Sequence, residues 1–538
     1  IMEYGIFITE RMQPMASKSK SIIGGMTVLG IAGIICKLVG VLFSIPLTYV
    51  IGAQGQGIYN AVFPTYNLLL TISSAGLPVA VSRMVSSALA KDDPHSAKHV
   101  FRVALLLLTT LGCIAAIIML AGSGMLAARV NQPDSKIGFQ VIAPCVAIVC
   151  MMSAFRGFIQ GQQDMVPTAI SQLIEQVGKV FLALPMAYIG NQMGGVAMGA
   201  AGALLGTTIV EGIALLYMIL LYFRRRSRFD AIPQLAPEQN TSTKRIAEQL
   251  MVIAIPITIG SCIVPLSQFI DSAMLVNRCV VSGLTHDAAV ETYGVFSCMV
   301  IRLINIPTAL SLAVSMSLVP AISSAWAVQD MDAVQRQTNL GLRFAFLIGL
   351  PCSVGMSVLS EQIFRFFYQD SSLSEAHLMT GSTLLMVSSL TVVLFTVVQA
   401  TSSILQGVRK QRIPMYTLVA GVVCKIALNY TLVGIPGFNI HGAPISSLVC
   451  YTVSLVPNLY YVMKYTGTKF NWRDWLVRPG IATLAMGAAV YLMTRILPFS
   501  RLLTIVEVAV GVAVFVVTAI WTKALTKEDL NAFRRKRK

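Results

Sequence analysis

The run Val300-Ile-Arg-Leu-Ile-Asn-Ile-Pro-Thr-Ala-Leu-Ser-Leu-Ala-Val-Ser-Met-Ser-Leu-Val-Pro320 decides how this chain is read. About twenty apolar residues cross the hydrocarbon core of a bilayer. This run supplies them with a single charge, Arg302, followed one turn later by Asn305 and then by Pro307. A guanidinium does not shed its proton, and holding one on a membrane helix costs about 3 kcal/mol on insertion scales. An anionic partner, a wet cavity or the membrane interface would each lower that cost. The reading adopted is a wet cavity in which Arg302 meets a negatively charged substrate.

The rest of the chain has the same character. Of its 538 residues, 55% are hydrophobic and 12% charged, against about 25% charged in a soluble domain. Long apolar runs recur, without the alternating short strands of a membrane barrel. The expectation is an all-α polytopic membrane protein with about fourteen spans, near 22–50, 58–89, 100–127, 137–159, 168–189, 196–223, 250–276, 293–325, 340–359, 378–405, 414–433, 443–463, 475–496 and 502–521. Residues before Met15 read as an upstream extension. Lys18 and Lys20 precede the first apolar run, but Lys37 and further apolar residues follow with no cleavage site, so an uncleaved first helix is expected.

The net charge of +17 would suggest nucleic acid in a soluble protein. Here the cations sit in short loops, so membrane lipids and the positive-inside rule explain them and no nucleic-acid partner is expected. With the N-terminus inside, the inner loops and adjoining span ends collect Lys91, Lys98, Arg156, Arg224, Arg225, Arg226, Arg228, Lys244, Arg245, Arg336, Arg343, Arg409, Lys410, Arg412, Lys464, Lys469, Arg473 and Arg478. An even number of spans with both termini cytoplasmic follows. The ten cysteines are scattered, mostly inside apolar runs, and read as small apolar residues; no metal or cofactor is expected. No Walker A, HExxH or GxSxG sequence is present, which points to a transporter rather than an enzyme, driven by an ion gradient or the membrane potential.

The chain repeats itself. Ser86-Ser-Ala-Leu-Ala-Lys-Asp-Asp93 returns as Ser323-Ser-Ala-Trp-Ala-Val-Gln-Asp330. Gln160-Gly161 with Pro167 and Lys179 returns as Gln406-Gly407 with Pro414 and Lys425. An even number of spans per copy implies two six-helix lobes related by a pseudo-two-fold axis along the membrane normal. The expected division is a cytoplasmic segment 1–21, an N-lobe 22–223, a linker 224–246 containing Pro233 and Pro237, a C-lobe 247–465, two further helices in 466–522 and a basic tail 523–538.

The ionisable residues left inside the spans are mostly basic, which suits an anionic cargo, phosphate being the common anion that arginine and lysine bind. Arg302 and Lys37 are the main candidates, with Lys425, Lys179, Arg83 and Asn305 behind them. Arg83 lies near a span end and could instead reach the headgroups. Glu175 and Lys179, four residues apart, could simply neutralise each other. Asp271 could cap a helix or pair with Arg278. Glu211 could pair, or bind a coupling proton or cation, and Asp271, Glu175 and Glu211 are the ion-coupling candidates. Gly76, Pro78, Pro307 and Pro320 interrupt the second and eighth spans and are candidate hinges.

Gly76-Leu-Pro-Val-Ala-Val-Ser-Arg-Met-Val-Ser-Ser-Ala-Leu-Ala-Lys91 and Arg302-Leu-Ile-Asn-Ile-Pro-Thr-Ala-Leu310, with Leu318-Val-Pro-Ala-Ile-Ser323, resemble the stage V sporulation protein B group, within the polysaccharide-exporter and lipid II flippase branch of the MOP superfamily. That resemblance implies a V of two six-helix lobes with two extra helices, in a bacterial cell membrane. It also implies alternating access for an undecaprenyl-pyrophosphate-linked glycan, lipid II first, with a link to spore cortex and to cell-wall synthesis enzymes. It places Arg302 and Lys37 where the lipid II flippases carry cavity arginines on the eighth and first helices. Phe43 and Leu70 stand where those proteins have further arginines, so a less basic cavity is expected. Two rival readings are a drug/cation antiporter of the same superfamily, which needs intramembrane carboxylates at its cargo site, and a non-transporting scaffold for cell-wall enzymes.

Overall fold

The computed structural model describes residues 15–91, 93–230, 242–371 and 373–525, and no strand occurs among them. Most of the expected segment 1–21 and tail 523–538, and residues 231–241 of the expected linker 224–246, lie outside the described residues. Besides the short helix Ser123–Arg129, the helices are α1 Met15–Ser74, α2 Leu77–Leu89, α3 Pro94–Ala121, α4 Lys136–Gly161, α5 Val166–Gly178, α6 Leu184–Asp230, α7 Thr243–Val281, α8 His286–Gly294, α9 Ile301–Ala327, α10 Met331–Val358, α11 Ser360–Tyr368, α12 Glu375–Gly407, α13 Arg412–Leu432, α14 Gly442–Thr466, α15 Arg478–Ile496 and α16 Arg501–Trp521. Wide π turns join α5 to α6 at Lys179–Ala183 and α8 to α9 at Val295–Val300. Among the described residues, 12 stretches are long and apolar enough to cross a membrane. The chain is an all-helical, multi-pass membrane protein.

Two of those stretches, Leu42–Leu89 and Val166–Arg225, hold 48 and 60 residues. A straight helix of the latter length would run about 90 Å, three times the hydrocarbon thickness. It does not run straight, because Gly195 at φ 73°, ψ −165° breaks it. Beyond the break the chain returns along itself. A methyl group on Gly202 would lie 2.3 Å from the Met186 carbonyl oxygen, and one on Gly206 would lie 2.4 Å from Ala183 Cα. Small residues thus let the two limbs touch backbone to backbone, the usual way membrane helices pack. In α1 the break is Gly52, at φ 63° and ψ −170°. Gln56 Nε2 then donates to Thr48 Oγ1 at 2.9 Å and to the Ser44 carbonyl at 3.3 Å. Residues that far apart on a straight helix would be separated by more than 10 Å, so α1 also doubles back.

The sequence repeat reappears as repeated packing. Gly161 near the end of α4 sits against Val85 of α2, and Gly407 at the end of α12 sits against Ile322 of α9. Val85 and Ile322 are the residues just before the two Ser-Ser-Ala copies. The copies end alike too. Asp93 accepts the Ser96 N–H at 2.9 Å and caps α3, and Asp330 accepts the Ala333 N–H at 2.9 Å and caps α10.

The first half is built around one apolar core, which includes Leu47, Val62, Phe139, Ile142 and Leu204. Ile246, Leu250 and Ala254, at the start of α7, also lie in this core, so α7 straps one half to the other. The second half has two cores, one containing Val300, Leu303 and Phe364 and the other Ile322, Phe346 and Ile404. The last two helices pack on α10 through Leu347 with Ala482 and Ala519.

Candidate functional site

The halves meet closely where α1 turns at its glycines. A Cβ on Gly57 would approach the Val290 carbonyl oxygen to 2.5 Å, and one on Gly294 would come within 2.3 Å of the Ala53 oxygen. No residue but glycine permits that approach. Cys298 Sγ donates to the Gln56 carbonyl at 3.2 Å, and Tyr49 Oη donates to the Phe367 carbonyl at 2.8 Å. This end of the seam is closed.

Arg302 stands one turn deeper, just past the π turn and half-buried. Its guanidinium carbon lies 5.7 Å from the centre of the Tyr59 ring, within reach of a cation–π attraction. Tyr59 begins an aromatic ladder up the second limb of α1, with Phe63 stacked at 5.6 Å and Tyr66 beyond at 5.7 Å. The Tyr66 hydroxyl lies 3.3 Å from Cys145 Sγ on α4. Among the described residues no carboxylate lies within the 4.0 Å of an ion pair to Arg302. Asn305 is exposed.

The other intramembrane cations are placed differently. Lys179 meets Glu211 at 3.4 Å across the α5–α6 hairpin. Its nearest neighbour by spacing, Glu175, is taken by Arg156 of α4, whose Nε also donates to Ser171 Oγ at 3.0 Å. Mutual neutralisation of Glu175 and Lys179 is therefore replaced by two bridges between helices. Both acids and both bases are at most 15% exposed, and Glu211 Oε2 is buried without a partner among the described residues. In the second half Lys425 of α13 pairs with Asp271 of α7. Asn429 Nδ2 donates to the other Asp271 oxygen at 2.9 Å, and Ser446 of α14 hydrogen-bonds Asn429. Asp271 thus has Lys425 as its partner rather than Arg278, which lies over the Tyr430 ring at 4.1 Å.

Arg83 is exposed on α2. The side chains of Lys37 and Pro320 lie outside the described residues. Gly76 packs on α7: its N–H donates to Thr258 Oγ1 at 3.1 Å, and the Ala254 oxygen lies 2.1 Å from where a Cβ would be. Pro78 follows at the start of α2. α9 runs unbroken through Pro307 and Pro320, and its irregular turn precedes Arg302 instead. Phe43 is buried in the apolar core of the first half, and Leu70 packs against that core. Sequence reading missed Arg156, which it assigned to a loop edge, and Tyr59, which looked like any aromatic in a span. No local spacing marks either one.

Comparison with known proteins agrees with this architecture. The family described as polysaccharide biosynthesis protein matches residues 22–326, and the MatE family matches residues 256–431. The lipid II flippase MurJ of Bacillus subtilis (strain 168) is 26% identical over 92% of this chain and 94% of its own length. Stage V sporulation protein B of the same organism is 26% identical over 78% and 80%. A solved structure of lipid II flippase MurJ in an inward closed conformation superposes with a TM-score of 0.65 at 13% identity, covering 92% of this chain and 98% of that one. The first of these matches takes in more than half of the sequence, and on that footing the chain belongs to the polysaccharide biosynthesis protein family.

Proposed function

We propose that this protein is a flippase that carries an undecaprenyl-pyrophosphate-linked glycan, with lipid II as its cargo, from the inner to the outer leaflet by alternating access. The observation that carries the reading is Arg302, a permanent cation beside the interlobe seam with no acid to neutralise it among the described residues. A cation on a membrane helix is costly, an anionic cargo in a wet cavity offsets that cost, and the oxygens of a diphosphate match the fork of a guanidinium. The relatives named for lipid II flipping and for sporulation support the cargo and a role in spore cortex synthesis. In this reading each folded-back stretch counts twice, giving fourteen crossings in two six-helix lobes plus α15 and α16. Both termini lie in the cytoplasm of a bacterial cell, and Lys37 assists Arg302 from α1. Lys425, Lys179, Arg83 and Asn305 follow as weaker cargo contacts, Asp271, Glu175 and Glu211 as ion-coupling groups, and Gly76, Pro78, Pro307 and Pro320 as hinge positions.

The test is a leaflet-accessibility assay with the purified chain in liposomes carrying lipid II. Flipping by the wild type and its loss in Arg302→Ala, at equal incorporation, is the expected result; full activity in that variant removes the assignment. The MatE match over 256–431 favours a second reading, a cation-coupled drug exporter. Its carboxylates would have to serve the cargo, yet Glu175, Glu211 and Asp271 are each engaged by a base. Dye efflux driven by a cation gradient in the same vesicles would support it.

A further inference from the structure

A second charged feature lies away from the seam, where α14 passes to α15. Gln335 and Asn339 of α10 and the connection Gly467-Thr-Lys-Phe-Asn-Trp-Arg473 line a cavity of about 730 Å³ that is open to the surface. The connection is a built structure. α14 ends on Gly467 at φ 68°, Thr466 Oγ1 donates to Thr468 Oγ1 at 2.8 Å, and Asn471 Nδ2 donates to Asp474 Oδ2 at 2.7 Å. Asp474, the one acid in the connection, is already held by Arg478 as well. That leaves the exposed Lys469 and Arg473 with no ion-pair partner among the described residues. Beside them Phe470 packs on Trp472 at 4.4 Å and on Trp475 at 5.0 Å. Trp475 is buried, whereas Trp472 is 63% exposed. Exposed tryptophan at a helix end is the mark of the headgroup level of a membrane. Lys410, 4.9 Å over the Tyr465 ring, adds a third cation at the same end of the bundle.

We propose that this cavity binds the headgroup of an anionic phospholipid, Lys469 and Arg473 taking the phosphate and Trp472 fixing the depth. Basic pockets between membrane helices recognise anionic headgroups in this way. The cavity falls in the range of about 300–1,000 Å³ that holds whole small molecules, so a glycerophosphate group fits it better than a lone phosphate ion does. The site is separate from the cargo cation Arg302 and stands or falls independently of the proposed flipping.

The experiment is native mass spectrometry of the full-length, delipidated protein titrated with phosphatidylglycerol or phosphatidylcholine. Phosphatidylglycerol is expected to bind more tightly. The double variant Lys469→Ala/Arg473→Ala should weaken it about 30-fold, roughly fivefold per cation, and leave phosphatidylcholine unchanged. Lys469→Arg/Arg473→Lys should retain binding, and Arg302→Ala should not affect it. Should the double variant fail to fold, amine labelling of Lys469 in the wild type replaces it, with protection expected from phosphatidylglycerol and not from phosphatidylcholine. Equal affinity for the two lipids, unaltered phosphatidylglycerol binding in a folded double variant, or failure of the lipid to protect Lys469 overturns the proposal. Binding of inorganic phosphate as tight as that of the lipid overturns it too and makes this a site for soluble anions.

Discussion

Arg302, Lys179 and Lys425 are alike in sequence, each a cation in an apolar run, and the structure separates them by their partners. Lys425 and Asp271 form a largely buried pair, each at most 18% exposed. Removing one partner of such a pair costs about 3–5 kcal/mol, because the other is left charged and unpaired, whereas replacing both by apolar residues is close to neutral. Lys425→Ala should therefore lower the melting temperature of the purified protein sharply, and Lys425→Met/Asp271→Leu should recover most of it. If the double variant is stable yet cannot flip lipid II, the pair serves transport rather than packing. At Arg302 the expectation reverses: Arg302→Ala keeps or raises stability and loses flipping, and Arg302→Lys retains part of it, a point charge replacing the two-pronged guanidinium. That Arg302 lies in a span was legible in its sequence surroundings. The partners were not, since Asp271 stands 154 positions from Lys425 and no helical spacing rule reaches that far.

Among the elements, the helices were legible nearly throughout because apolar length alone marks a membrane span. Both halves of the repeat were legible because their caps and close-packed glycines recur in the sequence itself. Expected breaks at Pro307 and Pro320 illustrate the limit: proline raises the odds of a kink, but neighbouring helices decide whether one forms, and α9 is unbroken. The glycine breaks can be tested directly. Gly195 has open space around its Cβ position, so Gly195→Ala pays only for a backbone conformation nearly exclusive to glycine, about 1–3 kcal/mol. Gly202 sits in helical backbone and carries no such conformational cost, but its added methyl must push the Met186 backbone aside from 2.3 Å, and displacing packed backbone should destabilise more than Gly195→Ala does. Thermal unfolding in one detergent ranks the two, and the opposite order would mean that the two limbs of α6 are packed more loosely than their contacts indicate. Asp93→Ala and Asp330→Ala, at equivalent caps, should each cost about 1 kcal/mol.

At the scale of the whole molecule the closed end of the seam is the feature that the proposed transport would have to open. It is held by glycine contacts and two hydrogen bonds, with no ion pair among the residues already named, Tyr49, Ala53, Gln56, Gly57, Val290, Gly294, Cys298 and Phe367. Contacts of that kind separate without stranding a charge, as the proposed alternating access would require. The cross-link that tests this joins the native Cys298 to a Gln56→Cys substitution in a chain whose other nine cysteines are removed. Cys298 Sγ lies 3.2 Å from the Gln56 carbonyl oxygen, so the two positions are neighbours; a disulfide also needs facing Cβ atoms, and its formation is read by loss of free thiol before flipping is measured. If cargo leaves through this seam, the oxidised protein cannot flip lipid II, reductant restores flipping, and the uncoupled single-cysteine parent is indifferent to both. Undiminished flipping by the fully cross-linked chain would mean that the halves need not part here, and the route for the headgroup would have to be sought on another face of the bundle.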